Sequence, residues 1–158
     1  MGKRSVKENK NIYQIARETC GMSRQAVEDA TSSILTERKL EKIEGGTQPA
    51  RAEEVLEMAK MYHAPELCNY YCTQECPIGK EHVPKVETIH DLPQIAMGLL
   101  SNLNSLNRDK DRIIDITADG KISDNEKDDF EAFRKHLSEM ALAIESLKLW
   151  TEKTMPDK

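Results

Sequence analysis

The sequence predicts an all-α protein, an N-terminal bundle of four to five short helices followed by a long C-terminal antiparallel helical hairpin. Three observations lead there. Aromatic residues supply only 4% of the 158 positions and charged residues 32%, which leaves few bulky side chains to fill a sandwich or barrel. Leu, Glu, Lys and Ala, which lose little rotamer freedom in a helix, are plentiful, while Val is sparse. Apolar residues recur at spacings of three and four along most of the chain. A chain of 18.0 kDa has room for one or two cores, so a large multi-domain enzyme is excluded.

Residues 1–10 are polar and basic and read as a flexible arm. Ile12, Ile15, Ala16 and Cys20 then fall on one helix face that Gly21 terminates. Ser23 caps a second helix with Ala26, Val27 and Ala30 inward. Thr36 caps a third, with Leu40 and Ile43 inward, ending at Gly45 and Gly46. Ala52, Val55, Leu56, Ala59 and Tyr62 line a fourth, closed by Pro65. Short helices joined by tight turns make a compact bundle with a helix-turn-helix inside it. The domain reading is 1–66 for the bundle, 67–90 for a Cys-containing connector with little helical character, and 91–158 for the hairpin.

The run from Leu40 through Ile43, Glu44, Gly45, Gly46 and Gln48 to Pro49, continued by Glu54-Val55-Leu56-Glu57-Met58-Ala59-Lys60, resembles the Xre-type, or lambda-repressor-like, helix-turn-helix DNA-binding family over roughly residues 10–64. The resemblance implies phosphate contacts from Ser23, Arg24 and Gln25 at the start of the second helix. It also implies that Thr36, Glu37, Arg38, Lys39 and Lys42 face the major groove of double-stranded DNA. The segment between Ala30 and Leu40 departs from the pattern, being longer than the family's tight turn and lacking its glycine.

Two constellations carry metal chemistry as expectations. Cys68, Cys72 and Cys76 would share one face of a continuous helix across about 12 Å, too far for one ion. A zinc site therefore needs a bend before Pro77, with His63, His82 or Cys20 completing the set. The other reading makes Cys68 and Cys72 small apolar residues and Cys76 a turn residue, or pairs Cys72 with Cys76 under oxidation. Residues 115–126 resemble a calcium loop, in which Asp115, Thr117, Asp119, Lys121 and Glu126 would supply oxygens around Gly120. The same residues also suit a plain helix-joining turn, with Gly120 in the left-handed region and Ser123 or Asp124 capping the next helix.

In the hairpin, Ala96, Leu99, Leu103, Leu106 and Ile113 form one seam. Phe130, Phe133, Leu137, Met140, Ile144 and Leu147 form the other, and such a pair has too little core alone, so it pairs with a second copy in a homodimer. Trp150 reads as a packing anchor. Glycine-rich phosphate loops, Gly-x-Ser-x-Gly and His-Glu-x-x-His motifs do not occur, and the four histidines are scattered, which argues against an enzyme. No signal-like or membrane-spanning run is present, so the expected place is the cytoplasm. Residues 1–52 hold ten Lys/Arg against seven Asp/Glu, while the rest of the chain is acidic. The resulting expectation is a sequence-specific transcriptional regulator. The rival is a helical interaction or adaptor protein that does not bind DNA and carries an ion-sensing loop.

Overall fold

The structure, a computed structural model, describes residues 9–31 and 34–155. Most of the expected N-terminal arm, and Ser32 and Ser33 of the connection after the second helix, lie outside the described residues. The chain divides into two units, residues 1–83 and 84–158, and all regular structure among the described residues is helical.

The first unit packs α1 (Ile12–Thr19), α2 (Arg24–Ala30), α3 (Glu37–Glu44), α4 (Ala52–Tyr62), α5 (Glu66–Tyr70), a π-helical turn (Tyr71–Glu75) and α6 (Pro77–His82). Its core is Tyr13, Val27, Leu35, Leu40, Ile43, Val55, Met58, Tyr62 and Leu67 with smaller residues between them. Local capping chemistry sets the starts. Asn11, Ser23 and Thr36 each accept a hydrogen bond from the backbone N–H three residues on, which satisfies one donor the helix cannot. Gly21 and Gly46 adopt φ of +76° and +71°, the left-handed conformation that ends α1 and α3.

The inward faces differ in detail from the periodicity. Ile15, Ala26, Ala30, Ala52 and Leu56 are exposed, and Tyr13, Gln14, Arg17 and Met58 take buried places. The expected connector is the larger correction, because residues 67–82 form helix and Leu67 is a core residue of the first unit, with Cys68, Tyr70 and Tyr71 packed against that core. Burial of Leu67 and the two tyrosines outweighs a sequence that looks weakly helical. Tyr13 meets Tyr70 edge to face at 6.0 Å, and its hydroxyl donates to Glu75 at 2.9 Å. Burial first, and that carboxylate second, hold the Tyr13 phenol protonated far above its ordinary range.

The second unit is an antiparallel pair, α7 (Leu92–Thr117) and α8 (Lys127–Thr154), of 26 and 28 residues. Asp91 caps α7 by accepting from Gln94 N–H. The inward stripe of α7 runs through Ile95, Leu99, Asn102, Leu106, Asp109, Ile113 and Ile116, buried at its two ends and half-buried between them. It therefore includes two polar positions, and Asp109 meets Nδ1 of His136 at 2.8 Å. Leu103, Leu137 and Ile144, expected in the seams, are about half exposed at 49%, 43% and 47%, while Ala143, Ser146, Leu149 and Trp150 turn inward. His136 and Ala143, each one residue before Leu137 and Ile144, take the inward places on α8 beside Phe133, Met140 and Leu147, so the second row of the seam is rotated by one residue, about 100° around the helix. Among the described residues no helix is long and apolar enough to cross a membrane.

Candidate nucleic-acid interface

The stripe of α3 that includes Leu40, Ile43 and Glu44 is buried. Glu44 is a carboxylate on an apolar stripe, and the fold answers it with two arginines. Arg17 of α1 donates through Nε to Oε1 at 2.6 Å and through an Nη to Oε2 at 2.9 Å, a bidentate pair. Arg24 of α2 donates Nε to Oε2 at 2.9 Å. Arg17 also donates to the carbonyl of Met22 at 2.8 Å, and its guanidinium is held charged above its ordinary range by the Glu44 hydrogen bonds, against the cost of burial. The first three helices thus meet at one ion cluster beneath the outward face of α3.

Around this cluster the sequence-derived residues sort themselves. Ser23 spends its hydroxyl oxygen on the N–H of Ala26 and Thr36 on that of Lys39, so both act as helix caps. Gln25 donates to Asp29 at 3.2 Å. Lys39 is turned inward, its ammonium 3.0 Å from Glu54 of α4 and 2.9 Å from the carbonyl of Ile34. Glu54 also accepts from the N–H of Arg51 at 2.9 Å, so Lys39 belongs to the contact between α3 and α4. Glu37 gives its N–H to the Glu28 carboxylate of α2 at 2.7 Å, which ties the start of α3 to α2.

What stays open is a stripe at i, i+3, i+4 and i+7, namely Arg38, Glu41, Lys42 and Gly45, all exposed. Among the described residues the Arg38, Glu41 and Lys42 side chains have no hydrogen-bond or ion-pair partner. They border a shallow depression of about 440 Å³ whose other walls include Gln14, Arg24, Glu44 and Thr47. Its ceiling of charge is mixed, with Glu28 and Glu37 along the adjoining edge. Gln14 and Thr47 are the lining residues that sequence reasoning missed here. Arg17 and Glu44 were missed as well, and the available signal was a charged residue at a buried helical position, which in a folded chain demands a partner.

The metal expectations meet a different geometry. Among the described residues no three His, Cys, Asp or Glu side chains are grouped to hold an ion. Cys76 caps α6, its sulfur accepting from Gly79 N–H at 3.4 Å, and Cys20 donates to the carbonyl of Arg17 at 3.1 Å. All four cysteines are thiols of intermediate exposure. In the 115–126 segment, α7 continues through Asp115 and Thr117, and Thr117 donates back to the carbonyl of Ile113 at 2.8 Å. Asp119 accepts from Lys121 N–H at 2.9 Å, and the Glu126 carboxylate accepts from both the N–H and the hydroxyl of Ser123. Those hydrogen bonds hold the Glu126 carboxyl below its ordinary range. Neither donor set is gathered around one point among the described residues, and residues 118–126 are arranged as a helix-joining turn with Gly120 at φ +71°.

No family model matches this chain, and neither the curated proteins nor the solved structures contain a match to it.

Proposed function

We propose that the chain binds double-stranded DNA through α2 and α3 and acts as a sequence-specific transcriptional regulator of Xre type, with the long hairpin joining two copies. The observation that carries this reading is the open stripe of Arg38, Glu41 and Lys42 on an α3 that Glu44, Glu28 and Lys39 hold rigidly against three neighbouring helices. Pre-positioned polar side chains that spend nothing on internal partners are what base-edge reading in a major groove requires. Lys42 within the stripe supplies open charge for phosphates, with the Glu44-paired Arg24 beside it. Selection from random duplexes with the full chain tests it. On a selected duplex Arg38→Ala should cost about 1–3 kcal/mol and relax the sequence preference, whereas Lys39→Ala should leave the preference unchanged because that ammonium faces Glu54. Equal responses to the two substitutions would count against α3 as the reading element.

One observation favours the rival reading as an interaction protein. Arg24 and Lys39 are neutralised by Glu44 and Glu54, and Glu28, Glu37 and Glu41 edge the same surface, so the open positive charge is confined to Arg38 and Lys42. Selection that enriches no duplex would favour that rival.

Self-association rests on the hairpin's uncovered flank. Ala96, Leu100 and Leu103 follow one another at four and three residues, and Leu137, Ala141 and Ile144 do the same; all six are exposed. Each row lies on the same rotational side of its helix's buried stripe. Because α7 and α8 are antiparallel, both rows fall on one flank of the hairpin. A two-fold pairing of that flank with a second copy covers both rows. Light scattering at micromolar concentration should give a dimer for the full chain and a monomer for Leu103→Glu/Ile144→Glu. A monomeric parent would refute the pairing.

A further inference from the structure

We infer that the duplex this protein prefers carries a cytosine read by Glu41 beside a guanine read by Arg38. This rests on the DNA-binding reading above and narrows it to a class of sites. Arg38 and Glu41 are exposed, three residues apart on one face of α3, and neither side chain spends a hydrogen bond on another described residue. Opposite charges at that spacing commonly pair, yet this pair leaves both groups open.

Their chemistry selects different base edges. A guanidinium offers only donors in a planar fork, which matches the two acceptors, O6 and N7, that guanine places in the major groove. An ionised carboxylate offers only acceptors, so it needs a donor. Cytosine N4 is a donor with no acceptor next to it on the same base, whereas adenine sets its N7 lone pair beside the N6 donor and guanine and thymine present acceptors. Three residues of helix advance about 4.5 Å, close to the separation of about 3.4 Å between successive bases, so the two side chains reach neighbouring base pairs. Gly45 ends the stripe without a side chain, which leaves the groove floor open past Lys42.

Glu41 also shapes affinity for every other sequence. A carboxylate aimed at a polyanion without a donor to receive it is repelled and left unsatisfied, so non-cognate duplexes are penalised. In a chain of formal net charge −5, discrimination through such repulsion fits better than a broad basic footprint.

The test is random-duplex selection with the full-length parent, Glu41→Gln and Arg38→Ala. Glu41 is exposed and has no partner among the described residues, so the Gln variant keeps the fold. A glutamine carries both an acceptor and a donor and matches adenine. The parent should enrich a motif with adjacent cytosine and guanine. Glu41→Gln should exchange cytosine for adenine at one position, by about tenfold or more in relative affinity, and leave guanine preferred at the other. It should also bind unselected duplexes more tightly. Arg38→Ala should lose the guanine preference and keep the cytosine. An enriched motif whose cytosine preference survives Glu41→Gln overturns this inference and leaves DNA binding standing, whereas selection that enriches nothing overturns both.

Discussion

Glu44→Ala should destabilise the first unit by about 3–5 kcal/mol, the range for removing one partner of a buried charge pair. The Glu44 side chain is 1% exposed and that of Arg17 is 8% exposed, so truncation strands a guanidinium that keeps the Met22 carbonyl as its hydrogen-bond acceptor, with the Glu18 carboxylate 4.0 Å away. Coulomb attraction is lost, and the desolvation of Arg17, already incurred by folding, is no longer offset. Arg24 is less exacting. Its side chain is 29% exposed, so water receives much of its charge when Glu44 is gone. Urea unfolding of the full chain should show the first unit's transition at a lower midpoint with its slope kept. The double variant Arg17→Met/Glu44→Leu should recover most of the loss, because it removes both charges and keeps volume. A loss below about 1 kcal/mol in the single variant would mean that water reaches the cluster in solution. The same variant tests how function depends on the scaffold, since Glu44 lies on α3 behind the Arg38 stripe and anchors that helix to α1 and α2.

How much of this was legible in the sequence follows the range of each interaction. The caps at Ser23 and Thr36 bond three residues away, and the stops at Gly21, Gly46 and Gly120 depend on a single φ. Such features sit inside a window that can be read by eye. Glu44 reaches Arg17 and Arg24 across 27 and 20 residues, and Lys39 reaches Glu54 across the α3–α4 turn. Neither contact leaves any trace in local spacing, so Lys39 and Arg24 looked free when both were committed. The hairpin was legible as two amphipathic helices, but its seam was not. Asn102 and Asp109 occupy inward places that an apolar count passes over, and so does His136, which with Ala143 takes the inward positions expected of Leu137 and Ile144. For residues 67–82, Pro77, Gly79 and three cysteines suggested a loop. The deciding fact was tertiary, the fit of α6 against the π-helical turn.

That fit predicts opposite signs for one substitution at two helical glycines. Gly79 lies in α6, and a Cβ placed on it would stand 2.1 Å from the carbonyl oxygen of Cys72, 2.6 Å from its carbon and 2.8 Å from its Cα. These are backbone atoms of the π-helical turn, closed by the hydrogen bond from Cys76 N–H to Tyr71 O at 2.9 Å, so no rotamer change can clear them. Gly79→Ala must lift α6 from the turn. That strains the Gly79 N–H bond to Cys76 Sγ and disturbs the turn whose Glu75 receives the Tyr13 hydroxyl. The expected loss is about 3 kcal/mol, the upper part of the overpacking range, even though alanine is intrinsically the better helix former by about 1 kcal/mol. Gly98 in the middle of α7 has nothing within 4 Å of its virtual Cβ. There the intrinsic preference acts alone, and Gly98→Ala should stabilise the second unit by up to about 1 kcal/mol. Thermal melting of the two single variants against the parent measures both. If Gly79→Ala raises the melting temperature as Gly98→Ala does, α6 does not rest on Cys72 in solution, and residues 67–82 would have to be returned to the role of a loose connector.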